Sequence, residues 1–103
     1  MKANKRRKLE AAGWKVGSSQ DFLGLTDEEI EFIEMKLALS RKVREQRAKE
    51  GISQTELAKR LGSSQSRIAK MESGDASVSV DLLLKALLAL GLPRKKVGQV
   101  LAA

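Results

Sequence analysis

The side chains in this chain that could do chemistry are amides, hydroxyls, carboxylates and cations, for there is no His and no Cys. That removes the common nucleophile–base pairs, the usual zinc ligand sets and any disulfide framework. A carboxylate-only magnesium site is conceivable among Glu28, Glu31 and Glu34, but these fall on an exposed helix with no pocket implied. No enzyme, no metal site and no cofactor is therefore expected. What the chain has in quantity is positive charge: 20 Lys and Arg against 13 Asp and Glu, a net charge of +7 and an isoelectric point near 10.0. A polyanion is the natural partner for such a surface.

The charge is segregated. Residues 2–8 carry Lys2, Lys5, Arg6, Arg7 and Lys8 and no acid, whereas residues 21–34 carry Asp21, Asp27, Glu28, Glu29, Glu31 and Glu34 and no base. The basic run reads either as an arm that follows a phosphate backbone or as a solubilising terminus. The acids at 27–29 suit the first turn of a helix, whose dipole favours negative charge. Glu31 and Glu34 are less well explained that way and suggest an end turned away from a polyanion. No apolar run approaches the ~18 residues that span a bilayer, and no signal-peptide segment follows the basic start. The expectation is a cytoplasmic protein with no membrane partner.

The elements that would position these groups are helical. Thr26 with Glu29, and Ser53 with Glu56, have capping-box spacing, with Leu25/Ile30 and Ile52/Leu57 as the accompanying hydrophobic staples. Ser79 is a third candidate cap, with Val78 and Leu83 in the staple positions. The spacing predicts helices from Thr26 to about Glu50, Gln54 to Leu61, Gln65 to Ser73 and Val80 to Leu90, stopped by Gly51, Gly62, Gly74 and Gly91. Pro93 could open a short fifth helix through Leu101. On the first helix, Phe32, Met35, Leu39 and Val43 form one apolar stripe, with Ile30, Ile33 and Leu37 beside it. Residues 1–25 read as an extension with a basic start, which Trp14, Val16, Phe22 and Leu23 dock on the helical body. Residues 26–91 form the all-α domain, and 92–103 a short C-terminal segment.

Within that domain, residues 53–74 have the pattern of two short helices crossing steeply over a turn of about three or four residues. Ala58 sits where the helices would come closest. Gly62 lies where the first must stop and reverse, a position favouring positive φ. Leu57, Leu61, Ile68 and Met71 would point into the shared core.

This stretch resembles the Cro and phage-repressor family of helix-turn-helix proteins, often called the XRE family, over about residues 36–91. The resemblance rests on Ser53-Gln54-x-Glu56-Leu57-Ala58, Gly62, Gln65-Ser66, Met71-Glu72-Ser73-Gly74 and the closing helix Val80–Gly91. One departure is Ser63, where an apolar residue is common. The resemblance implies a lambda-repressor-like domain of about four to five helices that binds double-stranded DNA. It implies that the helix from Gln65 lies in the major groove, with Gln65, Ser66 and Lys70 at base edges. Gln54, Ser64 and Arg67 would contact phosphates, and Arg47 with Glu72 would form an ion pair tying the first helix to the recognition helix. Leu57, Ala58, Gly62 and Ile68 would be scaffold. The blander reading leaves Lys70 and Arg67 as ordinary solvated residues and Ser66 as an exposed cap.

A single helix of this kind reads few base pairs, so a homodimer on a pseudo-palindrome is expected, joined through Val80–Leu90 or Leu92–Leu101. Repression is the default mode. The Trp-containing lead Leu9–Ser18, then Phe22–Thr26 and an acidic helix start, is similar to antitoxin-like regulators that accompany RelE/HigB-type toxins. Such toxins are basic, and the acidic, partly apolar segment at 21–37 would suit them. The competing function is an interaction adaptor that uses the same fold without reading DNA.

Overall fold

Thr26 and Glu29 start the first helix together, each side chain satisfying a backbone N–H that a helix start leaves without a partner. In the computed structural model, which describes residues 25–103, the Thr26 Oγ1 accepts from the Glu29 N–H at 3.1 Å and the Glu29 carboxylate accepts from the Thr26 N–H at 3.4 Å. Helix α1 then runs Asp27–Glu50. Leu25 packs against Ile33, one turn beyond the expected staple partner Ile30. Helix α2 spans Gln54–Leu61, capped by Ser53, whose hydroxyl accepts from the Glu56 N–H. Here the expected capping box is only half formed, because the Glu56 carboxylate turns to Arg60, 3.8 Å away and one turn on. Helix α3 spans Gln65–Ser73 from an N-cap at Ser64. Helix α4 spans Val80–Ala89 from Ser79, and α5 spans Arg94–Ala102 after Pro93, which offers no side-chain acceptor.

The described residues form no strand, so the architecture is all-α, as expected. The extension, including the Lys2–Lys8 run and the proposed docking of Trp14, Val16, Phe22 and Leu23, lies outside the described residues. Helix α1 lies against α3, α4 and α5, while α2 packs on α3 and α4. Leu39 and Val43 from α1 meet Leu57 and Ala58 from α2, Ile68 and Met71 from α3, and Leu83, Ala86 and Leu87 from α4 in one core. Val78, Leu90, Leu92 and Val97 close it.

The face that α1 turns inward differs from the expected stripe. Phe32 is 51% exposed, and the buried positions are Ile33, Lys36, Leu39, Ser40, Val43 and Gln46. The physical reason is what α1 packs against. Its first half meets the backbone that follows α3, where a carbonyl needs a donor, and Lys36 Nζ donates to Ala76 O at 3.1 Å. Gly74, at φ +75°, lies so close to α1 that a Cβ there would stand 2.7 Å from Leu37 Cδ2. A side chain at 74 would be strained by its backbone, and the tip of Leu37 would have to shift to admit it.

Candidate nucleic-acid interface

The site is built on the α2–α3 crossing. Ala58 is 4% exposed, and its methyl group lets the two helices approach closely. Gly62 takes φ +63°, and the Ser63 N–H reaches back to the Ala58 carbonyl at 2.8 Å, so the chain reverses while closing the end of α2. Two residues later Ser64 opens α3, its hydroxyl accepting from the Arg67 N–H at 3.2 Å. That crossing presents α3 with one face sealed and one face free. Ile68 and Met71 are wholly buried, whereas Gln65, Ser66, Arg67 and Lys70 are exposed.

Beside the free face runs a groove. One wall is Ser64, Ser66, Arg67 and Lys70, and the other is Ser77, Val78, Ser79 and Leu82 from the α3–α4 loop and the start of α4. Hydroxyls and two cations therefore converge along one line. Ser64 Oγ and Ser66 Oγ lie 3.2 Å apart. Whichever donates to the other, one proton of the pair remains for an outside acceptor. The first turn of α3 holds no acid, so its exposed N-terminus keeps the positive end of the helix dipole open to an anion. Asp75, at the far end, stays ionised: hydrogen bonds from the Ser77 hydroxyl and amide hold its carboxyl below the usual range, and the charges of Lys70 and Lys36 add to this.

A relay of side chains fixes the start of α3 to the body. Gln65 Nε2 donates to Gln54 Oε1 at 2.6 Å, and Gln54 Nε2 donates to Glu72 Oε1 at 3.2 Å. Arg47 grips the same carboxylate with two donors, Nε to Oε2 and Nη2 to Oε1 at 2.9 Å, and gives Nη1 to the Ile52 carbonyl. The Glu72 hydrogen bond raises the Arg47 pKa against the opposing effect of burial. Gln65 keeps one N–H and its carbonyl oxygen for a ligand, already held at a fixed angle. A donor and an acceptor on one amide are the groups that a bidentate contact uses.

The structure thus brings Gln65, Ser66, Lys70, Ser64 and Arg67 to one face, and sets Gln54 half-buried behind Gln65. Arg47 and Glu72 meet between α1 and α3. Leu57, Ala58 and Ile68 lie in the core, with Gly62 at the turn. Sequence reasoning gave Ser64 to phosphate alone and overlooked it as the α3 cap, although Ser-x-x-Arg before a buried Ile has the spacing of a helix start. It also overlooked Ser77 and Ser79 as the second wall, which only the fold brings beside α3. Among the described residues, no group of three acids could hold a metal ion, and no helix is long and apolar enough to cross a membrane.

Residues 43–97 match the family model described as helix-turn-helix, HTH_3. No curated protein and no solved structure matches the chain.

Proposed function

The chain belongs to the helix-turn-helix family HTH_3, whose matched segment takes in more than half its length, and from that premise we propose that this DNA-binding transcription regulator is a homodimeric repressor that reads sequence with α3. The observation that carries the reading is the two-sided character of that helix. Its apolar side is sealed, while Gln65 is exposed and Ser66, Arg67 and Lys70 line a groove rich in hydroxyls. Gln65 addresses adenine N6 and N7, Lys70 addresses guanine, and Ser66 completes the base-edge set. Ser64 and Arg67 hold phosphates, as does Gln54 through its remaining N–H, and these contacts fix register without reading sequence. A dimer on a pseudo-palindrome in the cytoplasm would occlude the duplex, and repression by occlusion needs no further domain.

A second reading has its own observation. The start of α1 lies outside the matched segment and displays Glu28, Glu29 and Glu31 beside the half-exposed Phe32. An acidic surface with an aromatic anchor suits a basic protein, such as a RelE/HigB-type toxin, and an antitoxin would combine both surfaces. A pure adaptor would use this surface alone.

Selection of duplexes from a random-sequence pool by the full chain, followed by titration across a salt series, separates these readings. A preferred duplex bound at about 10⁻⁸ to 10⁻¹¹ M, with loss of preference in Gln65→Ala and Lys70→Ala, supports the repressor. Uniform weak binding to every sequence rejects it in favour of the adaptor. Co-expression with a basic toxin and size-exclusion chromatography tests the antitoxin role; separate elution with unrelieved growth arrest excludes it.

A further inference from the structure

Lys36 occupies a position where a lysine is costly. It is 8% exposed, on the inward face of α1, upstream of the matched segment 43–97. Taking an ammonium out of water is unfavourable unless its donors are used, and an apolar side chain of similar volume would pack there without that cost. Burial accordingly lowers its pKa, with the attraction of Asp75 opposing the shift. Among the contacts of the ammonium, one spans a long stretch of chain: it donates to the carbonyl of Ala76, at 3.1 Å.

Ala76 sits in the connection from α3 to α4, and that connection is fastened at each residue. Leu37 packs over Gly74. The Asp75 N–H closes on Lys70 O at 3.1 Å, and Asp75 Oδ1 takes two hydrogen bonds from Ser77. Val78 is buried in the core. The residues directly after Ala76, namely Ser77, Val78 and Ser79, form the wall of the groove that faces Arg67 and Lys70. The carbonyl that Lys36 holds is thus one residue before that wall.

We propose that Lys36 is a positioning residue for DNA reading: from α1 its ammonium holds the loop carbonyl at Ala76, and so sets the wall of the groove beside the recognition helix. The proposal rests on the DNA-reading function above. Lys36 itself touches no phosphate, so its loss should change affinity without changing the number of counterions released.

The experiment uses the full chain, a duplex that the wild type has selected from a random-sequence pool, and dissociation constants across a salt series. The variants are Lys36→Met, Lys36→Gln, Lys36→Arg and, for comparison, Arg67→Ala, with thermal unfolding to identify the temperature at which each is folded. Lys36→Met should bind the duplex about tenfold more weakly, the equivalent of one charge-assisted hydrogen bond, with an unchanged salt slope. Lys36→Gln, polar but too short to reach, should do the same, and Lys36→Arg should recover most of the affinity. Arg67→Ala should lower the slope by about one. Hydrogen exchange at the Ser77 and Val78 amides should quicken in Lys36→Met and in Lys36→Gln. Folded Lys36 variants with wild-type affinity would overturn the proposal, as would a lowered slope, which would make Lys36 a phosphate contact. A wild type with no preferred duplex would instead reject the DNA-reading function itself.

Discussion

The α2–α3 pair and the first half of α1 distribute polar and apolar side chains differently. In the pair, Leu57, Ala58, Ile68 and Met71 are at most 4% exposed, and the amides, hydroxyls and cations of α3 face outward. In the first half of α1, Lys36 is buried beside Ile33 while Phe32 is 51% exposed. The charges also reverse: the first turn of α1 holds Asp27, Glu28 and Glu29, and that of α3 holds no acid. The contrast fits the roles proposed for the two regions. A helix offered to a rigid polyanion needs a sealed apolar back and an acid-free tip. A helix laid across another segment's backbone needs a donor on its inner side, and its outer side is free to serve a different partner.

The largest effect that tests this contrast is loss of the sealed back of α3. Ile68→Ala removes a wholly buried side chain at the centre of the core. It should cost about 2–5 kcal/mol by chemical denaturation, because the surrounding helices cannot fully collapse into the space. A cost below that range would mean that the pair is packed no more tightly than the outer face of α1.

Next comes the relay behind Gln65. The Arg47 and Glu72 side chains are 19% and 6% exposed. Glu72→Ala leaves the guanidinium and the Gln54 amide without their shared acceptor, and should cost about 2 kcal/mol. A double-mutant cycle with Arg47→Ala checks it, and a coupling near zero would show that the ion pair adds nothing to the attachment of α3. Gly74→Ala joins both regions, since the residue ends α3 and touches α1. The strain at φ +75° together with the Leu37 contact should cost more than about 1 kcal/mol. Adding Leu37→Ala should relieve the steric part and leave the backbone part.

A smaller effect appears in acid. Hydrogen bonds from Ser77 lower the Asp75 pKa in the folded chain, so the unfolded chain binds its proton more readily. The stabilisation is present above the unfolded value of about 3.9 and is lost as pH falls through the folded one. Asp75→Asn should therefore flatten the fall of stability with acid in that window, which urea midpoints measured across pH would show. An unaltered profile would mean that the loop is held without this carboxylate.

How much of this could be read in the sequence depended on distance along the chain. The caps at Thr26, Ser53 and Ser79 and the stops at Gly51, Gly62, Gly74 and Gly91 were legible because each obeys a rule spanning a few residues, and all four glycines take positive φ. The outward placement of Gln65 and Lys70 was implied by the resemblance to repressor-type helix-turn-helix proteins, and both are exposed. What was not legible joins distant residues: Lys36 with Ala76, Leu37 with Gly74, and the serine wall opposite Arg67. Of the apolar stripes expected on α1, Ile33, Leu39 and Val43 are buried and Phe32 is not. A stripe rule counts apolar residues, so it passed over Lys36, whose donor meets a carbonyl beyond α3.

The smallest expected effect on the fold is the sharpest test of the outer face of α1. Phe32 is not among the residues of either core cluster, so Phe32→Ser should change stability by no more than about 0.5 kcal/mol. It should equally leave the affinity for a selected duplex unchanged, since α3 and its groove do not involve it. If the acidic start of α1 serves a basic protein, the same substitution should abolish co-elution with that protein, because aromatic anchors carry a large share of interface energy. A loss of stability above about 1 kcal/mol would instead make Phe32 part of the packing, and the contrast between the two regions would shrink to the single buried lysine.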